Sequence, residues 1–557
     1  MANVTIDGKS YAVKDGITII EAIDQAKIDL PRYCYHPGLS IAGNCRICQV
    51  EVESQPRLPA GRHGTVIACN TRVAEGMAIR TDSAKAKESQ SVVLEFLLAN
   101  HPLDCPVCDQ SGECKLQDYY MDYGLYDPKF DETKVKKSKK AKFIGPTIIP
   151  PPVSSARGGP IALQSAETGG GIMLYQERCI LCSRCVRFGD EITKTHDFGI
   201  FNRGDRSEID IYPGKELDNK YSGNVADICP VGALTDRDFR FKVRVWYLDS
   251  QDSVCPGCSR GCNIQIHFEK SRPYHLKEER VMRLKPRENQ EVNRWWMCDE
   301  GRYAYKSIDK NRIKNIKCSG TSAHDWNAAL SRVAASLKSS QKWGVLFSPQ
   351  YTNEELYLMR RVFKDQLKAA RAAFWAPGQE GTEDNFLIKK DKNPNTSGAS
   401  KILGMDTASG DLSRVIEMAK AGELDGLFIF GHDVSKVFGE ETLLAVRGKV
   451  KMIIFEGSNE NATSRAADIV LPSASYAEKD GTFTNFEGRV QRIKRAFDPI
   501  GNSRASWQIL WELGSLLGMP IAYTRAEDVF KDLAKDDEAF SGMTYKSIGM
   551  QGAVWKK

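Results

Sequence analysis

Hydrophobic and polar positions divide the chain near residue 306 into two stretches of different character. Beyond this point the runs WGVLFSP, LDGLFIFG and VKMIIFE have the length and apolar content of buried strands, and segments of helical period such as TNEELYLMRRVFKDQL lie between them. Strands that alternate with helices are typical of a doubly wound parallel sheet. We therefore predict an α/β domain over residues 306–557.

The pattern at the N-terminus predicts a small α+β domain. VTIDGKSYAV has the form of a hairpin that turns at Asp7 and Gly8, and Thr18 with Glu21 forms a capping box that begins a short helix. A hairpin, a helix and then a loop with cysteines is the element order of plant-type ferredoxins. Further along, SVVLEFLLAN predicts a helix that ends next to His101.

The stretch 126–172 has a third kind of pattern. A lysine run is followed by prolines and glycines, and the apolar residues show little periodicity. Such a composition predicts an extended linker that lies over a surface. The lysine run either faces solvent or docks on an acidic partner.

Composition narrows the possible functions. The net charge of +6 is spread over 78 basic and 72 acidic residues, so it gives no case for nucleic-acid binding. No apolar run is long enough to span a bilayer, and the first residues lack the apolar core of a signal peptide. We therefore expect a cytoplasmic protein, in which reduced cysteines bind metals more often than they form disulfides.

The 16 cysteines are concentrated in the first part of the chain. All except Cys318 lie before residue 300, and they fall into four sets. Cys318 is left over, and we interpret it as a small buried hydrophobic residue. The distribution predicts a metal-rich N-terminal half and a metal-free C-terminal half.

The first set consists of Cys34, Cys45, Cys48 and Cys69, with ten, two and twenty residues between them. Plant-type ferredoxins hold a [2Fe-2S] cluster with three thiolates from one loop and a fourth from further along the chain. The small residues Gly38, Ala42 and Gly43 are expected to let backbone amides approach the sulfurs. A zinc knuckle is the alternative interpretation of this spacing.

The second set lies in HPLDCPVCDQSGECKLQD and consists of His101, Cys105, Cys108 and Cys114. Three thiols leave a four-coordinate site one donor short, and His101 is the nearest suitable base. No unclaimed cysteine lies near, and the predicted helix ends at this histidine. The alternative is that His101 is an ordinary surface or core residue.

The third set consists of Cys179, Cys182, Cys185 and Cys229. Bacterial ferredoxins hold two [4Fe-4S] clusters with two C-x2-C-x2-C-x3-C-P runs, and the fourth cysteine of each run binds the other run's cluster. The remaining positions of this pattern are occupied by Gly189, Asn219, Ser222 and Val225. All ligands of one cluster are present and all ligands of the other are missing, so we predict one [4Fe-4S] cluster.

The fourth set consists of Cys255, Cys258, Cys262 and Cys298. Its C-x2-C-x3-C spacing, followed by a distant C-x-x-G-R, resembles the [4Fe-4S] subdomain that opens molybdopterin oxidoreductases. The 35 residues before Cys298 are rich in charge, which predicts an exposed insertion.

In this order the four sets resemble the large iron-sulfur subunit of respiratory NADH:quinone oxidoreductase, complex I. The resemblance covers most of the chain and implies that the fifteen cysteines and His101 of the four sets bind one [2Fe-2S] and three [4Fe-4S] clusters. It implies a peripheral place on the cytoplasmic side of the inner membrane, through the complex. The implied partners are other complex I subunits, including a flavin- and NADH-binding subunit and a cluster-bearing connecting subunit.

The sets and the linker divide the chain into six predicted segments. They are a plant-type [2Fe-2S] ferredoxin domain (1–83), a histidine-plus-three-cysteine [4Fe-4S] segment (84–125), the extended linker (126–172), a ferredoxin-like [4Fe-4S] module (173–249), a molybdopterin-oxidoreductase-type [4Fe-4S] subdomain (250–305) and a truncated molybdopterin-oxidoreductase-like α/β domain (306–557).

The last segment also resembles molybdopterin oxidoreductases in ADIVLPSASYAEKDGTFTNFEGRVQRIKRAF. It is short for a complete pterin-binding assembly and has no cysteine where a metal ligand is expected. Glu300 stands where formate dehydrogenases place a lysine between cluster and pterin. We therefore expect a scaffold that binds no molybdopterin.

The chain lacks a G-x-G-x-x-G motif after a strand, a P-loop and a Ser-His-Asp arrangement, so we expect it to bind neither NAD nor flavin. The expected chemistry is one-electron transfer within a proton-translocating oxidoreductase, with no substrate-converting site in this chain. One alternative is a NAD-linked formate dehydrogenase subunit, which requires a full molybdopterin domain. The other is an iron-only hydrogenase, which requires a second ferredoxin cluster and a C-terminal cysteine set.

Overall fold

The computed structural model describes residues 1–54, 64–124, 127, 129–136, 142–145, 171–269, 279–376, 382–405, 409–520 and 522–556. The chain forms two units. The N-terminal unit is Met1–Ile148 with Gly170–Trp246, and the C-terminal unit is Ile149–Gly169 with Tyr247–Lys557. Most of the predicted linker, with part of its lysine run, lies outside the described residues.

The N-terminal unit begins with a five-stranded sheet and one helix. The elements are β1 (Ala2–Ile6), β2 (Lys9–Val13), α1 (Ile19–Gln25), β3 (Gln49–Ser54), β4 (Thr65–Ile67) and β5 (Ala78–Arg80), with the strand order β2-β1-β5-β3-β4. The predicted hairpin is confirmed, because Asp7 and Gly8 adopt the positive φ angles of 49° and 79° that a two-residue turn needs. The capping box of Thr18 and Glu21 is confirmed as well.

Two longer helices and several short elements complete this unit. They are α2 (Ala84–Asn100), α3 (Lys115–Tyr123), β6 (Lys142–Phe143), β7 (Ile172–Leu174), α4 (Arg184–Arg187), β8 (Phe198–Phe201), β9 (Glu208–Ile211), α5 (Asn224–Ile228) and β10 (Leu234–Asp236). As predicted, α2 ends next to His101. Part of the linker joins a sheet, since β6 pairs with β7. Lys134 of the lysine run donates hydrogen bonds to the carbonyls of Leu98 and Ala99, so this lysine binds within the unit.

The C-terminal unit begins with a three-stranded antiparallel sheet that precedes a short helix. The elements are β11 (Leu248–Val254), β12 (Asn263–Glu269), β13 (Val281–Pro286) and α6 (Asp299–Tyr303). The prediction of an exposed insertion before Cys298 is wrong for residues 281–284 of β13, which are buried, whereas Glu288, Gln290 and Glu291 are exposed. The buried residues pair with β12, so the sheet buries a segment whose charges suggested exposure.

A six-stranded sheet forms the centre of the C-terminal unit. Its strands are β14 (Lys317–Cys318), β15 (Trp343–Phe347), β16 (Arg371–Phe374), β17 (Gly426–Phe430), β18 (Met452–Gly457) and β19 (Ile469–Pro472), in the order β14-β19-β18-β17-β15-β16. All neighbouring strands are parallel except β14, which is antiparallel to β19. Cys318 is buried in this sheet, as predicted.

Helices lie on both faces of this sheet. They are α7 (Trp326–Lys338), α8 (Asn353–Met359), α9 (Thr396–Leu403), α10 (Ser409–Ala421), α11 (Val434–Phe438), α12 (Glu440–Arg447) and α13 (Ala462–Ala466). Along β17, Leu427 and Ile429 belong to one hydrophobic core, whereas Phe428 and Phe430 belong to another. Because successive strand residues point to opposite faces, a core lies on each side and the predicted doubly wound sheet is confirmed.

The last part of the chain adds a small sheet and three helices. The elements are β20 (Gly481–Thr484), β21 (Arg489–Ile493), α14 (Ser506–Leu516), α15 (Ala526–Asp536), α16 (Tyr545–Ile548) and β22 (Ala553–Val554). Strand β21 pairs with both β20 and β22, so the end of the chain returns to this sheet.

A buried carboxylate joins segments of the C-terminal unit that are far apart in the chain. Glu478 accepts hydrogen bonds of 2.7 Å from Arg312 and from Arg280, and Arg280 also binds Asp309. The side chains of Glu478 and Arg312 are fully buried. Burial acts to raise the pKa of the Glu478 carboxyl, but the two guanidinium groups hold it below its ordinary value.

We expect Glu478→Ala to lower the free energy of unfolding by about 3–5 kcal/mol, because Arg312 then keeps a buried charge without its partner. Urea unfolding of the full chain, followed by tryptophan fluorescence, measures this loss, since eight of the nine tryptophans lie in the C-terminal unit. Glu417→Ala, which removes an exposed partner of Lys420, is the control and costs at most about 1 kcal/mol. Equal losses in the two variants contradict the assignment.

Candidate iron-sulfur sites

The first set lies in the loop between α1 and β3, and Cys69 completes it from a 3-10 helix after β4. Three of its thiols are buried and Cys45 is half-buried. Cys34 shares hydrogen bonds with Cys45 and Cys69, and Cys48 shares one with Cys69. The structure therefore brings all four predicted members of this set together.

Backbone amides also point at these sulfurs. The amide of Cys34 donates to Sγ of Cys45 at 3.4 Å, and the amides of Cys45 and Asn44 donate to Cys34. Hydrogen bonds with Cys45 and Cys69 lower the pKa of Cys34 to about 2, and the amides add to this effect. Asn44 and Cys45 directly follow Gly43, which adopts a φ of 63°. The backbone of this small-residue stretch therefore lies close to the sulfurs.

The third set surrounds one cavity inside the N-terminal unit. Its lining includes Cys179, Cys182, Cys185 and Cys229. Leu181 and Ser183 adopt left-handed φ angles of 54° and 59°, which curl the loop between its cysteines. Burial raises the pKa of all three deeper thiols, to about 12 for Cys229. Thiolates in this cavity therefore need a compensating positive charge.

Side chains of other types occupy the positions at which the ferredoxin pattern lacks cysteines. Asn219 donates to Oδ2 of Asp197 at 2.9 Å, and the hydroxyl of Thr195 donates to the same oxygen at 2.5 Å. Asp197, Ser222 and Val225 are all buried. Hydrogen bonds and apolar packing thus replace the ligands of a second cluster.

The second set lies between α2 and α3. His101 follows α2, Cys105 begins a 3-10 helix, and Cys114 immediately precedes α3. Cys105 is the only exposed cysteine of the sixteen, all of which the structure describes, whereas Cys108 is buried. Burial raises the pKa of Cys114 to about 11, and the nearby thiols of Cys108 and Cys105 contribute.

The imidazole of His101 shares a charged neighbour with these thiols. Burial lowers the pKa of His101 to about 4, and the charges of Lys134 and Arg178 contribute. Arg178 also acts on the thiol of Cys108. Neutral imidazole is the form that binds a metal. The structure therefore favours the ligand-competent form of His101 near the set, and its role as a ligand stays a prediction.

The fourth set surrounds a small cavity in the C-terminal unit. Cys255, Cys258, Cys262 and Cys298 all line it. Gly301 of the C-x-x-G-R motif donates its amide to Sγ of Cys298 at 3.3 Å. A Cβ atom on Gly301 would lie 2.9 Å from Sγ of Cys255, so the close approach of backbone and sulfur requires glycine here.

A loop between β16 and α9 covers this cavity. Leu387, Ile388 and Lys392 contribute to its lining. The amide of Lys389 donates to the sulfur of Cys258. Nζ of Lys392 lies 3.1 Å from Oε2 of Glu300, which also lines the cavity. Lys392 thus lies beside Glu300, although the two residues are far apart in the chain.

These donor sets fit iron-sulfur clusters. The first, third and fourth sets each gather four thiols, whose ionisation burial opposes in the two cavities. Iron bound to a cluster supplies the positive charge that makes thiolates stable there. Within the ranges given above, no three histidine, cysteine or carboxylate side chains are placed to hold a single metal ion. The fit therefore rests on the shared cavities and the sulfur hydrogen bonds.

Five family models match the chain in sequence order. They are the 2Fe-2S iron-sulfur cluster binding domain (1–84), the NADH-ubiquinone oxidoreductase-G iron-sulfur binding region (90–129), the ferredoxin-like domain of NADH-quinone oxidoreductase subunit 3 (169–235), the molybdopterin oxidoreductase Fe4S4 domain (249–310) and the molybdopterin oxidoreductase family (376–516).

Curated relatives match nearly the whole chain. The NADH-ubiquinone oxidoreductase 75 kDa subunit of Reclinomonas americana is 28% identical over 95% of this chain and 90% of its own length. The mitochondrial NADH-ubiquinone oxidoreductase 78 kDa subunit of Neurospora crassa is 28% identical over 93% of this chain and 81% of its own length. The chain is therefore similar, over nearly its whole length, to these large iron-sulfur subunits. The predicted resemblance and the predicted fold class are confirmed.

This similarity agrees with the donor sets. The matched domains give the chain iron-sulfur cofactors of the 2Fe-2S and 4Fe-4S types. The alignment with the Reclinomonas americana subunit has 669 positions for a chain of 557 residues, so some of the relative's extra length lies inside the matched region. A solved NAD+-reducing [NiFe]-hydrogenase is 24% identical over 44% of this chain and 91% of its own chain. Its TM-score of 0.35 is too low to indicate a shared fold.

Several residues at these sites escaped the sequence analysis. Arg184 and Arg187 lie against the first and third sets, and Arg178 lies against the second. The interleaving of arginine with cysteine in RCILCSRCVRF was the available signal. Lys392 lies 92 positions from Glu300, so no local pattern could pair them.

We expect His101→Cys to keep a cluster at the second set with a lower reduction potential, because a thiolate adds negative charge where imidazole is neutral. His101→Ala should lose this cluster and leave the others. Electron paramagnetic resonance of the reduced full chain distinguishes these outcomes. His196→Ala, which changes an exposed histidine, is the control. Unchanged signals in both His101 variants would show that His101 is not a cluster ligand.

Proposed function

We propose that this chain relays single electrons through its iron-sulfur clusters, from a flavin-bearing NADH dehydrogenase partner towards the quinone-reducing module of complex I. The observation that carries the proposal is that the third set adjoins both the first and the second sets within the N-terminal unit. Closely spaced centres are the physical requirement of such a relay, because electron transfer weakens steeply with distance.

The first and third sets adjoin through the loops that hold them. Asn44, next to Cys45, donates its side-chain amide to the carbonyl of Leu181, next to Cys182, at 3.2 Å. The thiols of Cys34 and Cys182 are close enough to interact electrostatically. These contacts support transfer directly between the two sets.

The third and second sets adjoin through the segment that follows Cys229. A Cβ atom on Gly232 would lie 2.2 Å from Sγ of Cys108, so this backbone runs directly against the second set. The amide of Lys115, next to Cys114, donates to the carbonyl of Pro230 at 3.0 Å. We infer that electrons pass from the first set to the third and then to the second.

The chain's own residues make this chemistry possible. A bound iron-sulfur cluster supplies a centre that gains or loses one electron without a covalent change in the protein. The thiolates hold it, and backbone amides such as those of Asn44, Cys45 and Gly301 donate hydrogen bonds to the sulfurs. Hydrogen bonds of this kind and burial set the potential of a cluster.

For the cofactors we propose one [2Fe-2S] cluster at the first set and one [4Fe-4S] cluster at each of the other three. The absence of molybdopterin is part of the proposal, and the polar residues at the C-terminal ends of the parallel strands support it. Ligands of open α/β sheets bind at that edge. Ser348, His432 and Glu456 lie there fully buried, and Glu456 binds the hydroxyl of Ser506 at 2.7 Å.

The proposed partners are a flavin- and NADH-binding subunit and a cluster-bearing connecting subunit. In the part of the chain that the structure describes, no helix is long and apolar enough to cross a membrane. We propose that the complex holds the chain on the cytoplasmic side of the inner membrane. A formate dehydrogenase and an iron-only hydrogenase are the alternatives. Metal analysis that finds iron without molybdenum argues against the first, and the second requires a further ferredoxin cluster and a C-terminal cysteine set, whose cysteines the sequence lacks.

We expect the isolated chain to bind no NADH, because no dinucleotide motif is present, and NADH to reduce its clusters only after the flavin-bearing partner is added. Calorimetry with NADH and visible absorption of the clusters measure the two effects. Dithionite is the control, since it should reduce the clusters without a partner. Micromolar NADH binding by the chain alone would contradict the proposal.

The fourth set is proposed to be a structural side branch. It joins the ends of β11 and β12 to α6, and the loop between β16 and α9 covers it. The α/β domain that follows offers no further centre in the proposal, so an electron arriving there has no acceptor.

We expect Cys258→Ser to lower the stability of the chain or its assembly into the complex, because metal binding of this kind contributes to folding. Complexes that do assemble should keep near-normal NADH:quinone turnover. Cys318→Ser is the matched control, since Cys318 is buried outside the four sets and its variant should keep all the iron. A fully assembled Cys258→Ser complex with most of its turnover lost shows instead that this cluster carries the current.

A further inference from the structure

One guanidinium group spans the boundary between the first and third sets. Nη2 of Arg187 donates to the carbonyl of Cys34 at 2.5 Å and to the carbonyl of Cys182 at 3.3 Å. Nη1 of the same side chain donates to the carbonyl of Ser40, in the loop of the first set. A single nitrogen atom is thus bonded to the backbone of one candidate ligand from each set.

Neighbouring residues hold this guanidinium in place. Nε of Arg187 donates to the hydroxyl of Ser183 at 3.3 Å. Helix α4 continues into a π-helical turn at Phe188–Thr193, and Glu191 of that turn accepts a hydrogen bond of 2.8 Å from the amide of Ser40. The two sides of the Ser40 peptide segment are therefore bound by the same helical stretch, which fixes its distance from the third set.

The boundary between the two sets also contains two positively charged side chains, those of Arg184 and Arg187. Arg184 donates to the carbonyls of Tyr35 and Ile228 at 2.5 and 3.0 Å, and neither Arg184 nor Arg187 forms an ion pair with a described carboxylate. Leaving partly buried cations without counterions is costly. Clusters with four thiolate ligands are anionic, so the two arginines are suited to compensate the charge of the clusters on either side.

We propose that Arg187 is a positioning residue that couples the clusters of the first and third sets. Its guanidinium provides the hydrogen-bonded path from Cys34 to Cys182 and fixes the separation of the two loops. One electron leaves the first cluster, which is oxidised, and the third cluster is reduced by the same electron. No covalent bond forms or breaks, and no proton moves. This inference rests on the proposed function.

The test compares Arg187→Met, Arg187→Lys and the unchanged full chain with its clusters loaded. The methionine removes both the charge and the hydrogen bonds, and the lysine keeps the charge but cannot span the carbonyls with a planar fork. After photochemical injection of one electron, the rate of exchange between the two clusters is followed optically, and their potentials are measured by redox titration with electron paramagnetic resonance.

In Arg187→Met we expect the exchange to slow several-fold, because the two loops lose the hydrogen bonds that fix their separation. Both potentials should fall, since the loss of a positive charge disfavours the reduced clusters. Arg187→Lys should retain potentials near those of the unchanged chain but still exchange more slowly. Arg206→Met, which removes an exposed arginine, should change neither quantity.

Wild-type exchange and potentials in both Arg187 variants overturn the proposal. If Arg187→Met loses a cluster, the lysine variant decides, because it preserves the charge and tests the hydrogen-bonded path alone. A lysine variant that exchanges at the wild-type rate then rejects the coupling role. If the unchanged chain itself holds no clusters, the proposed function fails, and that result is distinct from failure of the Arg187 inference.

Discussion

Burial opposes the ionisation of the thiols in the third and fourth sets, and this free-energy cost constrains the structure around them. Burial is the first cause of the raised pKa of Cys182, Cys229 and Cys255. Iron-sulfur clusters remove the cost by binding the thiolates, so cluster insertion and folding stabilise each other. In the first set, hydrogen bonds between the thiols lower the pKa of Cys34 and Cys48 and raise the pKa of Cys45 and Cys69.

A second feature of these sites is the close approach of backbone glycines to cysteine sulfurs. Gly232 lies against Cys108, and Gly301 lies against Cys255 and Cys298, at distances that exclude any larger side chain. In the first case the glycine lets two sets adjoin, and in the second it brings an amide to a sulfur. Gly232 thus serves the proposed relay by bringing two sets close together, whereas Gly301 provides a hydrogen bond to a sulfur of the set proposed as a side branch.

The parallel sheet of the C-terminal unit has buried polar residues at the C-terminal ends of its strands. Tyr351 donates its hydroxyl to the carbonyl of Glu456 at 3.1 Å, and His432 binds the carbonyl of Phe347 at 2.7 Å. Hydrogen bonds of this kind between buried groups rigidify a domain. Together with the hydrogen bonds of Arg280 and Arg312 to Glu478, these bonds stabilise the unit that holds the fourth set.

The sequence by itself determined the features that depend on neighbours along the chain. Ligand spacing within the sets, the turn at Asp7 and Gly8 and the apolar runs of the parallel sheet are local patterns, and they predicted the resemblance and the fold class correctly. Only the tertiary structure decided which sets adjoin, that Arg187 reaches Cys34 across 153 positions, that Lys392 pairs with Glu300 and that β13 is buried. These features arise from packing between distant segments, and no local spacing or periodicity records which segments will meet.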